Sequence, residues 1–260
     1  MARDVVSAKL DIIFKKLFTE NEDMLYSFVA SMLELPQESI SEITITNPEL
    51  PPETLEGKFS RLDLSLKVDN RLVNVEIQVK NDVDYRDRTL FYWAKLYSSE
   101  LKSGEDYSEL KQTITINIIN FNMFSGKDYH TEVATIIKGT EEVFSDKFSI
   151  HFFELKKVGK KPDPQNSRQL WLQFINADSE EEFEMISQTN VPIMQKAVNV
   201  IYDMSEDTKI REIARLREKA LHDETSAIKN AKAEGAASVI AKMRAFGISE
   251  KQIQEILAQN

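Results

Sequence analysis

Apolar and polar residues alternate along two neighbouring stretches, Lys58-Phe59-Ser60-Arg61-Leu62-Asp63-Leu64-Ser65-Leu66-Lys67-Val68 and Leu72-Val73-Asn74-Val75-Glu76-Ile77-Gln78-Val79-Lys80. A period of two is the signature of half-buried β-strands. Asp69-Asn70 lies between them, and both residue types tolerate the positive φ of a two-residue hairpin turn. This turn predicts that Val68 faces Arg71, Leu66 faces Val73, Leu64 faces Val75 and Leu62 faces Ile77. All the apolar side chains then share one sheet face, which fixes the register. The other face pairs Ser65 with Asn74, Asp63 with Glu76, and Arg61 with Gln78.

Helical spacing governs the N-terminal segment. Leu10, Ile13, Phe14, Leu17 and Phe18, then Leu25, Phe28, Val29 and Met32, predict helix over 7–34, broken at Thr19-Glu20-Asn21-Glu22 and stopped by Pro36. Ile43 to Thr46 is a short strand, and Pro48, Pro51, Pro52 and Gly57 mark the loop before the hairpin. Residues 84–103 read as a helix with an apolar surface of Leu90, Phe91, Ala94, Leu96, Tyr97 and Leu101, and with Gly104 as its stop. Thr113 to Ile119 is β-branched and nearly continuous, as expected of a strand buried on both faces. Residues 132–137 and 148–155 are further strands, and Lys156 to Pro164 is a basic loop. From about 165 onward the pattern is helical, including a long stretch over 205–246 and a short last helix capped by Ser249. These elements predict an α/β fold: a mixed sheet flanked by helices over 1–160, with a helical C-terminal extension over 161–260.

Composition narrows the chemistry. Cysteine is absent, which removes disulfides and thiolate metal sites and favours an intracellular, cytoplasmic setting. Only three histidines occur, far apart in sequence, so a histidine-rich zinc site is not expected. No stretch approaches membrane-spanning length. The net charge of −10 argues against a protein that coats nucleic acid through a basic surface. It leaves room for a metal-dependent enzyme, whose carboxylates add negative charge that a bound cation offsets.

The predicted register sets Asp63 beside Glu76 with Cβ atoms about 5 Å apart, where two ionised carboxylates repel unless a proton or a cation intervenes. Oxygen ligands at that reach suit Mg²⁺ or Mn²⁺. An amphipathic hairpin with a solvated acidic pair fits the same pattern.

The order of helix, strand, Asp-bearing strand, Glu-x-Gln strand, helix and strand resembles the core of the PD-(D/E)XK nucleases. In particular, it resembles their recombination-promoting nuclease branch, often labelled PD-(D/E)XK family transposases. The resemblance rests on Leu10-Asp11-Ile12-Ile13-Phe14-Lys15-Lys16-Leu17-Phe18, on Arg61-Leu62-Asp63, on Val75-Glu76-Ile77-Gln78, and on the helix bearing Arg88, Tyr92, Trp93 and Tyr97. The segment from Ala233-Glu234-Gly235 to Gly247-Ile248-Ser249 also looks like the tail of that branch. The resemblance implies a restriction-endonuclease-like fold and an Mg²⁺-dependent DNA endonuclease. Asp63 and Glu76 would be metal ligands. Gln78 stands where the wider superfamily has lysine, Asp11 matches an acid of the N-terminal helix, and Leu62 replaces the superfamily's proline.

Phosphodiester hydrolysis needs an activated water, a neutralised phosphate and a stabilised leaving oxygen. A divalent ion on Asp63 and Glu76 would serve the first two needs, with the Ile77 carbonyl as a third ligand. Gln78 can orient water but brings no positive charge. Lys15, one turn from Asp11, and Lys80, two residues past Gln78, are the expected sources of the missing cation. Asp11 and Lys15 would equally make an ordinary surface ion pair. Arg88 and Tyr92 are candidates for contact with phosphate or with the Glu76 strand, and Trp93 and Tyr97 for core packing. Lys156, Lys157, Lys160 and Lys161 suit phosphate contact, and the segment from Lys209 to Arg244 suits dimerisation or DNA contact. A homodimer is expected if both strands of a duplex are cut. Two other readings are a nuclease fold that binds DNA without cutting, and a glycosidase-like use of the two acids; the narrow hairpin disfavours the latter.

Overall fold

The computed structural model describes residues 4–46, 49–50, 60–61 and 64–258. The chain forms two compact units, Met1–Arg211 and Glu212–Asn260. The expected boundary near residue 160 lies within the first unit, where helices α4 (Ser167–Asn176), α5 (Glu180–Ser187) and α6 (Pro192–Glu206) pack with the rest.

A mixed sheet of six strands forms the centre, in the order β1 (Ile43–Ile45), β4 (Leu64–Val68), β5 (Arg71–Gln78), β6 (Gln112–Ile119), β8 (Val143–Glu154) and β7 (His130–Ile136). Two-residue strands β2 (Glu49–Leu50) and β3 (Ser60–Arg61) pair separately. The β5–β6 and β6–β8 pairs are parallel, and helix α3 (Tyr85–Ser99) lies in the crossover from β5 to β6. Strands, crossover helix and flanking helices make the expected restriction-endonuclease-like α/β fold.

The hairpin follows the register read from its alternation. Leu64 pairs with Val75, Ser65 with Asn74, Leu66 with Val73, and Val68 with Arg71. Asp69 takes the positive φ of the turn, at 50°. Its carboxylate accepts from the amides of Ser41 and Glu42 and from the Ser41 hydroxyl, tying the turn to the entry of β1. Arg61 departs from expectation: it pairs with Glu49 in the β2–β3 ribbon, not with Gln78. Leu62 and Asp63 lie outside the described residues.

Both sheet faces are covered. On one, Leu64, Leu66, Val68, Val73 and Val75 are fully buried, as are Phe14 and Phe18 of α1 (Asp11–Thr19), Phe28 of α2 (Glu22–Leu33) and Trp171 of α4. The Phe18 ring lies 4.5 Å from Phe28 and 5.6 Å from Trp171, centre to centre, so α4 closes the aromatic cluster begun by the first two helices. Burial of this kind stabilises by about 1.5–3 kcal/mol per large side chain. Arg168 adds polar ties, donating to the carbonyls of Ser31 and Met32 at the end of α2 and lying over the Phe153 ring.

The other face carries α3. Here the apolar surface expected at Leu90 and Phe91 is corrected: both are about half exposed, and the helix buries Tyr85, Thr89 and Leu96. The reason is Asn117, fully buried on β6, whose Oδ1 accepts from the Tyr85 hydroxyl at 2.9 Å and from Thr89 Oγ1 at 3.3 Å. A buried amide must be satisfied, and this requirement sets the helix's rotation. Trp93 packs as expected, stacked on Tyr97 with centroids 4.9 Å apart and donating to the Thr113 carbonyl at 2.8 Å.

In the second unit, the end of α7 (Thr208–Ala245) turns at Gly247, whose φ of 78° glycine adopts without strain. Ser249 then caps α8 (Glu250–Ala258) through Gln252, and Arg244 pairs with Glu250. Among the described residues no helix is long and apolar enough to cross a membrane.

Candidate active site

Of the candidate residues, Glu76, Gln78 and Arg88 meet at the C-terminal end of β5. Strand alternation places Asn74, Glu76 and Gln78 on one face, the face covered by α3. Glu76 stands beside Asn117 of β6 in the parallel ladder, and Gln78 beside Ile119. The Asn117 side chain anchors Tyr85 and Thr89 and donates to the His151 carbonyl, so one buried amide ties the helix above the site to the sheet beside Glu76.

Glu76 is half-buried, and Asn74 Nδ2 donates to its Oε1 at 3.1 Å. The partner atom, Asn74 Oδ1, is buried without a hydrogen bond among the described residues, as is Thr115 Oγ1 on the adjoining strand. The amide is thus turned so that its donor serves the carboxylate, at the expense of its own acceptor.

Gln78 sits at the centre of a closed network. Its Nε2 donates to the Lys80 carbonyl at 2.9 Å and to Asp82 Oδ2 at 3.1 Å. Its Oε1 accepts from Arg88 Nη2 at 3.0 Å, and Arg88 Nη1 pairs with Asp82 at 3.2 Å. The Arg88 guanidinium also lies over the Tyr85 ring, 5.0 Å from its centre. These contacts hold a permanent positive charge directly against the glutamine amide. Arg88 therefore touches the Glu76 strand, one of its two expected contacts. Tyr92, one turn on, lies against Phe91 with centroids 6.1 Å apart.

Lys80 is placed differently from expectation. Strand β5 ends at Gln78, and the chain bends so that the Lys80 carbonyl folds back onto the Gln78 amide. The strand-face extrapolation from Gln78 to Lys80 therefore does not hold. Asp11 opens α1 and its Oδ1 accepts from the Ile12 amide at 3.0 Å; Lys15 lies one turn further on, and α1 packs beside β5. Ile77 is buried at the strand end between Glu76 and Gln78. Asp63 lies outside the described residues. Asp82, overlooked in the sequence, is the acid that clamps Gln78 to Arg88; its signal was an acidic residue in the turn between the Glu-x-Gln strand and the arginine-bearing helix.

The donors suit a hard divalent cation: a half-buried carboxylate and strand-end carbonyls, all oxygen, in a chain without thiols. Among the described residues no cluster of three histidines or acids stands ready as a metal cage.

Comparison with known proteins bears directly on this arrangement. Neither a curated protein nor a solved structure matches the chain. A family model does, described as PD-(D/E)XK nuclease family transposase, and it spans residues 8–231. That span takes in the sheet, α3 with Arg88 and the Glu76–Gln78 strand end, and the chain accordingly belongs to the PD-(D/E)XK nuclease family transposases.

Proposed function

We propose that the protein is a divalent-metal-dependent DNA endonuclease of a mobile-element or recombination-linked type, working in the cytoplasm. The observation that carries this reading is the Glu76–Gln78 strand end with the Arg88 guanidinium held against it. Glu76, with Asp63 and the Ile77 carbonyl, would hold Mg²⁺ or Mn²⁺. The bound ion would polarise a phosphate oxygen and lower the pKa of a water. Asn74 keeps Glu76 oriented through the hydrogen bond to Oε1. Arg88 supplies the fixed positive charge that Gln78 lacks, aimed at a phosphate oxygen by Asp82. This assigns to Arg88 the part expected of Lys15 or Lys80. Gln78 orients the Arg88 guanidinium through its amide oxygen, whose second lone pair can accept from a water, and Tyr92 borders the substrate. Asp11 and Lys15 belong to the outer part of the same site. Cutting both strands of a duplex would call for a homodimer.

A second reading has one observation in its favour. Every polar atom of the Gln78 side chain already has a partner, Lys80, Asp82 or Arg88, which suits a nuclease fold that binds DNA without cutting it. Incubating supercoiled plasmid with Mg²⁺, Mn²⁺, Ca²⁺ or a chelator, beside Asp63→Ala and Glu76→Ala, separates the two. An endonuclease nicks with Mg²⁺ or Mn²⁺ and stops on chelation or on either substitution. Retention of plasmid without nicking in every condition favours the binding protein and overturns the enzyme.

A further inference from the structure

The residues after β8 form a second feature at the same end of the sheet. Gln78 on β5 pairs with Ile119 on β6, and Ile119 pairs with Glu154 on β8. Two strand spacings separate Gln78 from Glu154, roughly 10 Å. The basic loop leaves the sheet at that point.

The loop is fixed from beneath. Gln173 donates to the carbonyls of Gly159 and Lys161, Gln169 donates to Lys161 at 3.4 Å, and Asn176 donates to the Leu155 carbonyl at 3.3 Å. Lys157 is used internally, paired with the fully buried Glu154 and donating to the Phe124 carbonyl. Lys156, Lys160 and Lys161 are left exposed on a backbone that three α4 side chains hold in place. Arg86 extends the cationic border toward α3, donating to the Met123 carbonyl at 3.1 Å with its guanidinium 5.2 Å from the centre of the Phe124 ring.

Under the loop lies an open cleft of about 420 Å³, walled by Leu155, Val158 and Ile186 and bordered by Lys156 and Lys160. Gln173 lines it, is 8% exposed, and its Oε1 has no hydrogen-bond partner among the described residues. Glu182 also faces the cleft and is engaged by the Asp178 amide at 2.9 Å. Apolar walls and two cations on the border match one unit of a nucleic-acid strand: a base between the walls and flanking phosphates on the lysines.

We infer that this cleft and its lysines form a second DNA-binding site, which takes an unstacked nucleotide of the strand a few nucleotides from the phosphate at Glu76. The inference rests on the nuclease reading for the nature of the ligand. Its test is binding of a single-stranded oligonucleotide carrying 2-aminopurine, in Ca²⁺, to wild-type protein, to the triple variant Lys156→Ala/Lys160→Ala/Lys161→Ala and to Met185→Trp, which fills the cleft. Wild type is expected to raise the 2-aminopurine emission as the base unstacks. The triple variant should bind roughly 10–100-fold more weakly, with the slope of log affinity against log salt reduced by about two, since each single-strand phosphate contact contributes about 0.7. Met185→Trp should abolish the emission change. All three substituted lysines are exposed, so thermal melting should be unaltered. Wild-type affinity and salt slope in the triple variant overturn the site. Unaltered emission with Met185→Trp overturns the seating of a base in the cleft. Failure of wild-type protein to bind any DNA overturns both this inference and the nuclease reading, whereas failure of the variants alone to differ overturns only this inference.

Discussion

Arg88 donates to Gln78 across 3.0 Å, from a helix on one side to a strand end on the other, while Asp82 bridges them from the turn between. The chain thus holds a neutral side chain at the strand position and brings the cation in from α3. Removal of that cation is the sharpest test of the site. Arg88→Ala is expected to lower plasmid cleavage by about 10–100-fold, on the scale of losing one charged transition-state contact. Adding Gln78→Lys to that variant should recover part of the rate, because an ammonium then sits against Asp82. Cleavage time courses check both, and a wild-type rate in Arg88→Ala would remove the guanidinium from the chemistry.

Glu76→Gln keeps the shape of the side chain and its hydrogen bond to Asn74 while removing the charge. It is expected to leave the melting temperature within a degree or two and to cut cleavage at least 100-fold. Chelation of the metal should do the same to wild type. Parallel thermal melts and Mg²⁺ titrations of cleavage distinguish a lost ligand from a lost fold.

Asn117 links the sheet to α3, so its removal acts on stability first. Asn117→Ala leaves the buried Tyr85 hydroxyl and Thr89 without their acceptor and is expected to destabilise the chain by about 2–3 kcal/mol. Tyr85→Phe should cost only about 1 kcal/mol, since Thr89 still donates to Asn117. Urea unfolding measures both.

Two half-buried histidines contribute to the response to acid. His130 Nε2 and His151 Nδ1 lie 3.0 Å apart, and His151 also meets the Ser149 hydroxyl at 2.9 Å. Burial pushes His151 down to about 4, against the pull of Glu132, with His130 and Arg168 pushing the same way as burial and Glu34 pulling with Glu132. Burial and Arg168 likewise lower His130. Between that value and the ordinary 6.5 the unfolded chain binds more protons than the folded one, so stability rises with pH there. The contribution is complete above about pH 6.5 and is lost as pH falls toward 4, up to about 3 kcal/mol for His151. Replacing His151 with glutamine should flatten unfolding free energy against pH over that interval; an unchanged slope would refute the assignment.

Much of the fold was legible because side-chain periodicity dictates it. The alternation around Asp69-Asn70 left one register that buries every apolar residue, and the pairs from Leu64–Val75 to Val68–Arg71 obey it. The β-branched run of β6 is buried on both faces as its composition required. Periodicity has no access to polar contacts between distant segments. It assigned Leu90 and Phe91 inward, while Asn117 selects Tyr85 and Thr89 for that side of α3. It carried the strand through Lys80, although the chain bends after Gln78. His130 and His151 meet because β7 and β8 are neighbours, a relation that their separation in sequence conceals.

Trp171 has a practical corollary. Its indole fills the hollow between Phe18 and Phe28 and bonds to Ser27, from a position beyond the last strand. A gene shortened just after β8 would uncover those rings to water, and its product is expected to precipitate. The smallest fragment worth expressing therefore carries α4 through α6.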